Sequence, residues 1–323
     1  MQLRNVLVSI PYKPGHEEAF RQSLPGAAFR FARSEELAEG EFAAFDAVVG
    51  NPGPEDLAKF TNLKLMQLLS SGVPAHFLTL RDTRPDAVLC SATGAYGPSM
   101  AEHMLAALLM LARKLHLYRD AMPEGKWENR GSVRSLRGMR ALVVGAGSIG
   151  TEFARLMKLM GAYTVGVRRS HGPYDAVFDE MHTQDALDEL LPGADVVALS
   201  VPHTPQTAGL MDARRFGLMK EGSYLLNVGR GSAVDQDALV DALRSGRLAG
   251  ASIDVAEPEP LPSDHPLWRE ENLLITPHVS GFWYLHTTHD RVVDIACRNL
   301  QAYPHGPYVS RVDYETGYRA KED

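Results

Sequence analysis

Residues 141–150 read ALVVGAGSIG, and no other stretch restricts the fold of this 323-residue chain so tightly. Residues 141–144 are a short apolar, β-branched run, the pattern of a strand covered on both faces of a parallel sheet. Gly145, Gly147 and Gly150 follow at G-x-G-x-x-G spacing, and Phe153, Leu156, Met157 and Met160 then recur at helical intervals. Strand, glycine turn and helix together read as a dinucleotide-binding βαβ start, the plain alternative being a glycine-rich turn. In such a unit Gly145 permits the tight turn, Gly147 lets the backbone approach a pyrophosphate, and Gly150 lets helix and strand pack closely. The pyrophosphate sits at the helix N-terminus, where unpaired N–H groups and the helix dipole favour negative charge.

The chain has room for two ordinary domains. Residues 6–10, 47–50 and 65–69 are short apolar runs closed by turn residues, with helix-like segments at 17–23 and 54–60 between them. This alternation predicts a small α/β domain with a parallel sheet. Ligands of such sheets bind beyond the strand carboxyl ends, so Asn51-Pro52 and Ser71-Gly72-Val73 are lining loops or simple turns. Residues 99–118 form the longest helical pattern, nearly apolar all round, with a capping-box arrangement of Ser99 and Glu102. His103 within it reads as a hydrogen-bonded core histidine rather than a catalytic one. The polar stretch 121–138 reads as an arm in which Trp127 anchors either a dimer contact or ordinary packing.

After the glycine turn, residues 164–167 predict a second strand, followed by Arg168-Arg169-Ser170. NAD-binding folds place a carboxylate about 20 positions after the glycines to bond the ribose 2′-OH. Two arginines and a serine stand here instead. Guanidinium groups bind phosphate oxygens, so the residues point to NADPH, the plain alternative being a solvated basic turn. Further strands are expected at 195–200, 224–227, 249–255 and 273–275, with a helix at 235–245, giving a doubly wound sheet. An amphipathic helix over 285–303 returns to the first domain. It carries His286 and His289 one turn apart, but with no thiol or carboxylate cluster beside them no metal is expected.

Three strand-end loops hold Arg230 between two glycines, Glu259 in a Glu-Pro-Glu-Pro run, and His278 after Pro277. An arginine can grip a carboxylate bidentately, a histidine can trade a proton with a carbonyl, and a carboxylate can orient the imidazole. With a nicotinamide, the trio makes a 2-oxoacid reductase site. Standing by itself, each residue reads better as a surface arginine, an exposed glutamate in a Pro-rich loop or a loop histidine.

Five ordered blocks complete the pattern: 145–150 (GAGSIG), 200–211 (SVPHTPQTAGLM), 225–243 (LLNVGRGSAVDQDALVDAL), 250–262 (GASIDVAEPEPLP) and 272–281 (NLLITPHVSG). With these blocks the chain resembles the D-isomer-specific 2-hydroxyacid dehydrogenases, strongly over 94–306 and more loosely before it. The resemblance implies two Rossmann-like α/β domains with doubly wound parallel sheets and a cleft between them. Residues 1–98 with 284–323 would form the flavodoxin-like substrate domain, and 99–283 the dinucleotide-binding domain. It also implies Arg230 as substrate-binding arginine, Glu259 as carboxylate partner and His278 as acid/base. Asp254 would bond the nicotinamide carboxamide. Ser148 and Ile149 would meet the pyrophosphate, and Val201, Pro202, Thr207, Val228 and Gly229 would line the cofactor. Gly72 and Val73 would hold the substrate carboxylate through backbone N–H groups.

Two departures stand out. Arg168 occupies a place where many members carry aspartate, which agrees with NADPH, although NADH stays possible. Residues 279–284, with Phe282, Trp283 and Tyr284, are bulkier than the small run usual after the histidine. The expected activity is reduction of a small 2-oxoacid, glyoxylate or hydroxypyruvate by analogy, to the D-2-hydroxyacid. Oxidation of formate or phosphite on the same fold, or a cofactor-sensing protein without turnover, are the rivals. A net charge of -7 gives no electrostatic case for nucleic acid or anionic membrane. The N-terminus reads as a strand rather than a signal peptide, and two cysteines without metal spacing fit a reducing cytoplasm. The long helix and the resemblance imply a homodimer.

Overall fold

Short β-branched runs bounded by turn residues become parallel strands throughout. The computed structural model describes residues 2–172, 174–282, 285–315, 317 and 320, excepting the side chains of Pro74, Ala75 and His286. Trp283 and Tyr284, two of the bulky residues noted after His278, lie outside the described residues. The chain divides into two compact units, Met1–Tyr96 with Phe282–Asp323, and Gly97–Gly281.

In the first unit β1 (Asn5–Ser9), β2 (Ala28–Phe31), β3 (Ala47–Gly50), β4 (Leu65–Gln67) and β5 (Val88–Cys90) form a parallel sheet in the order β2-β1-β3-β4-β5. Both of its faces are buried. Leu7, Val48, Met66 and Leu89 meet one hydrophobic layer, while Val6, Val8, Ala47, Val49, Leu65 and Cys90 meet the other. Period-2 alternation between two apolar layers is why each strand reads as an unbroken apolar run. Helices α1 (His16–Ser23), α2 (Pro54–Lys59) and α3 (Pro74–Thr83) connect the strands, and a closing helix over His286–Ala302 adds Val293, Ala296 and Leu300 to the core. Strands β2 and β5 were not anticipated: they border the sheet, β2 has no fully buried residue, and β5 is only three residues long.

The second unit opens with α4 (Gly97–Ala112) and α5 (Leu115–Ala121), where a single helix over 99–118 was expected. Lys114 adopts a left-handed backbone (φ 58) and breaks the run. Ser99 is not the N-cap that the expected capping box requires. The helix starts at Gly97, followed by Pro98 in its first turn, where a proline is tolerated, so Ser99 already lies inside it. Nor is α4 buried all round: Ala101, Met104, Leu108 and Leu111 face the core, while Glu102 and Ala106 are exposed.

There follow β6 (Arg140–Val144), α6 (Ser148–Leu159), β7 (Tyr163–Arg168), β8 (Glu180–Thr183), α7 (Leu187–Leu190), β9 (Val196–Leu199), α8 (Ala213–Leu218), β10 (Ser223–Asn227), α9 (Gln236–Arg244), β11 (Leu248–Ile253) and β12 (Leu273–Ile275). The sheet order is β12-β11-β10-β9-β6-β7-β8, all parallel, with the winding direction reversing between β6 and β9. That reversal is where doubly wound sheets bind ligands. Leu142, Val144, Val197, Leu199 and Leu225 fill one side of the sheet, and Ala141, Val143, Val196, Ala198 and Leu226 the other. Strand β8 reads Glu-Met-His-Thr and is only half-buried, so apolar patterning did not reveal it. The arm between α5 and β6 leaves Trp127 fully exposed at 101%, which overturns the packing alternative for that residue within this chain.

Candidate active site

The register of the second sheet brings the functional loops to one edge. Val144 pairs with Leu199, Leu199 with Asn227, Asn227 with Ile253, and Ile253 with Ile275. Each of these residues ends its strand. The glycine turn and the loops of Val201, Arg230, Asp254 and His278 therefore leave the sheet side by side, although the sequence spreads them over more than a hundred positions.

At the glycine turn, Gly145 has φ +100, and a Cβ there would stand 2.6 Å from the Ser200 carbonyl oxygen. A Cβ on Gly150 would strike the Gly145 carbonyl and approach Val143 Cγ1 to 2.8 Å, so this glycine sets the helix against the strand. Gly147, the N-cap of α6, is different: open space surrounds its Cβ position, and no side chain caps the helix. The first N–H groups of α6, with Ser148 and Ile149 at its start, thus face an open cradle. The cradle fits a pyrophosphate. Ser200, which sequence reasoning passed over, closes the turn by donating from Oγ to the Gly145 carbonyl at 2.8 Å.

At the end of β7, Arg168 and Ser170 line a cavity of about 90 Å³ with His171, Gly172, Tyr174, Met181, His182 and Thr183. Arg168 Nη2 donates to the Gly172 carbonyl, and Arg169 beside it is exposed. Of the other expected cofactor contacts, Val201, Thr207 and Val228 are buried. The Thr207 hydroxyl is used within its own turn, donating to the Pro202 carbonyl at 2.5 Å.

Arg230 is exposed at the tip of the loop after β10. Its flanking glycines have packing reasons. A Cβ on Gly229 would lie 2.6 Å from the Val201 carbonyl oxygen, and one on Gly231 would lie 2.6 Å from Ala256 Cα and closer still to that residue's carbonyl. Buried Asn227 shapes the loop from within: its Nδ2 donates to the Arg230 carbonyl and its Oδ1 accepts from Gly229 N, both at 3.0 Å. A polar residue ending an apolar strand was the available signal for it.

His278 Nδ1 donates to Glu259 Oε2 at 2.8 Å, with both side chains half-exposed. The other Glu259 oxygen accepts from Ala256 N at 3.1 Å. The Gln236 side-chain amide bonds the main chain of Glu257, its Nε2 donating to the Glu257 carbonyl and its Oε1 accepting from Glu257 N, whereas Glu259 is the carboxylate that meets the imidazole. Asp254, 1% exposed, accepts from Val279 N and Ser280 N through its two oxygens. Ser280 Oγ is buried without a hydrogen-bond partner among the described residues.

Gly72 and Val73 belong to the first unit, where they lead into α3. The Gly72 carbonyl accepts from Ser70 Oγ at 2.7 Å, and Val73 is a helix N-cap without a side-chain hydrogen bond. Nearby, burial pushes the His76 imidazole down from its ordinary value while its Nε2 bonds the Pro52 carbonyl. His289 of the closing helix packs edge-on against His16, and no cluster of three metal-ligating side chains occurs among the described residues. The His286 side chain lies outside the described residues.

A doubly wound sheet with an uncapped glycine-turn helix and a His–Glu pair at its ligand edge defines a nicotinamide-dependent oxidoreductase. The comparisons narrow the class. Residues 105–280 match the family described as D-isomer specific 2-hydroxyacid dehydrogenase, NAD binding domain. A D-isomer specific 2-hydroxyacid dehydrogenase family protein from Aeromonas salmonicida is 33% identical, with TM-score 0.83 over 97% of this chain and 100% of that one. The Xanthobacter autotrophicus D-isomer specific 2-hydroxyacid dehydrogenase, solved with NADPH and MES, is 30% identical, with TM-score 0.80 over 98% and 100%. Hydroxypyruvate reductase from Blautia hydrogenotrophica is 29% identical over 83% of this chain and 85% of its own length. This chain belongs to the D-isomer-specific 2-hydroxyacid dehydrogenase family and is an NAD(P)-dependent oxidoreductase.

Proposed function

We propose that the protein reduces a small 2-oxoacid to the D-2-hydroxyacid with NADPH as the preferred donor, and that glyoxylate or hydroxypyruvate is the substrate class. The observation that carries this reading is the 2.8 Å pair of His278 Nδ1 and Glu259 Oε2. With Nδ1 committed to the carboxylate, Nε2 is the atom left to give a proton to a carbonyl oxygen. A bound reduced nicotinamide supplies the hydride to the keto carbon. Gly145, Gly147, Ser148, Ile149 and Gly150 hold the pyrophosphate, and Val201, Pro202, Thr207, Val228 and Gly229 border the cofactor. Asp254 receives the carboxamide.

Arg230 binds the substrate carboxylate and stabilises charge as the alkoxide forms. Gly72 and Val73 of the first unit are proposed to offer backbone N–H groups to a carboxylate. Arg168, Arg169 and Ser170 favour the 2′-phosphate of NADPH, and the cavity shared by Arg168 and Ser170 supports that preference. Residues 1–98 with 284–323 are read as the substrate domain and 99–283 as the cofactor domain. The exposed Trp127 arm supports a homodimer. Two free cysteines fit a reducing cytoplasm.

The test is a panel of 2-oxoacids, with formate and phosphite beside them, assayed with NADPH and NADH. Steady NADPH oxidation by glyoxylate or hydroxypyruvate is expected, and His278→Gln should lower kcat by at least ~10²-fold with NADPH binding retained. Turnover of formate or phosphite alone, or no turnover at all, overturns the reading. Loss of NADPH binding in His278→Gln would remove that residue from the acid/base role.

A further inference from the structure

His103 and Thr276 have no part in the site described above, yet they meet behind it. Thr276 Oγ1 lies 2.6 Å from Asp254 Oδ1 and 3.2 Å from His103 Nε2. A carboxylate only accepts, so the single hydroxyl proton goes to Asp254. Thr276 Oγ1 must then accept from His103, whose Nε2 carries the hydrogen. The bonds run in one direction, His103 to Thr276 to Asp254, and each polarises the next.

Asp254 passes this order to the loop that carries His278. Its Oδ1 also accepts from Val279 N at 2.8 Å, its Oδ2 from Ser280 N at 3.0 Å, and its backbone carbonyl from His278 N at 2.8 Å. His278 itself has φ +54, a left-handed backbone uncommon outside glycine. Such a conformation persists only where its surroundings over-determine it. Here three consecutive amides, those of His278, Val279 and Ser280, are held by one aspartate.

We propose that His103 and Thr276 are positioning residues for the proton-transfer step: they fix the Asp254 carboxylate, which locks the left-handed turn that presents His278 to Glu259. The proposal rests on the reading of His278 as the acid. Thr276→Val keeps the side-chain shape and removes the hydroxyl. It should lower kcat ~10- to 100-fold, since displacements of about 1 Å carry costs of that order. The KM for the 2-oxoacid should change less than ~3-fold.

Thr276→Ser, which keeps the hydroxyl, should restore kcat to within ~3-fold of the parent. His103→Leu should lower kcat with an unchanged melting temperature. The double variant His103→Leu/Thr276→Val should be no slower than Thr276→Val alone, because His103 acts only through the hydroxyl. Full kcat in Thr276→Val, a loss that serine does not restore, or losses that multiply in the double variant would overturn the proposal. Should Thr276→Val fail to fold, unchanged kcat in His103→Leu overturns it equally. An active His278→Gln would instead sink the reading of His278, which keeps the two failures distinct.

Discussion

Gly231→Ala tests whether the Arg230 loop is placed by backbone contact rather than by its arginine. A Cβ on Gly231 would stand 2.6 Å from Ala256 Cα, whereas ordinary contact begins at 3.4 Å. The two backbones must therefore part by about 0.8 Å at that point, and by more at the Ala256 carbonyl. Neither can yield by rotating a side chain. Gly231 is not in the left-handed region, so crowding alone is at work. Overpacking of this kind costs about 1–3 kcal/mol. For a unit of this size that lowers the melting temperature by roughly 2–12 °C.

The separation also moves Arg230 away from the segment in which Ala256 N holds Glu259. A shift of about 1 Å or more predicts a fall in kcat/KM of ~10²-fold. Gly217→Ala is the control: open space surrounds its Cβ position in α8, and alanine there should be neutral or stabilising by up to about 1 kcal/mol. The assays are thermal unfolding by circular dichroism and kcat/KM with a turned-over 2-oxoacid and NADPH. If Gly231→Ala matches Gly217→Ala in both, the contact with Ala256 does not place the loop.

Two other outcomes follow from the same geometry. Arg168→Asp replaces a phosphate-binding charge by a repelling one, so the NADPH to NADH ratio of kcat/KM should fall at least ~10- to 100-fold; an unchanged ratio would assign Arg168 to the solvated turn. Hydrogen bonds from Arg140 and then His182, joined by Tyr163, hold the Glu180 carboxyl down at about 2 against an ordinary 4.5. A depressed carboxylate stabilises the fold above its ordinary value and loses that contribution as pH falls toward 2. Glu180→Gln should therefore lower the urea midpoint at neutral pH, with a difference from the parent that shrinks below pH 4.5. A pH-independent difference would show that the ionised form is not what matters.

Local patterning determined much about this protein on its own. The glycine turn, the apolar strands of the second unit and the five ordered blocks are contiguous features, and each announces its backbone conformation without reference to distant residues. The chemistry of Arg230, Glu259 and His278 was legible as residue types in loops after strands. Strand β8 was not, because an edge strand without an apolar face has no period to read. The break at Lys114 was not either, since its neighbours are strong helix formers and only the turn into α5 requires the left-handed backbone.

Tertiary structure alone decided which loops are neighbours, through the in-register ends of five strands. It also decided that the Arg230 glycines serve backbone packing, that Asn227 shapes their loop, and that Asp254 gathers the amides around His278. These are contacts between segments remote in sequence. Their partners are chosen by sheet order and register, which emerge only when two apolar layers close over the strands.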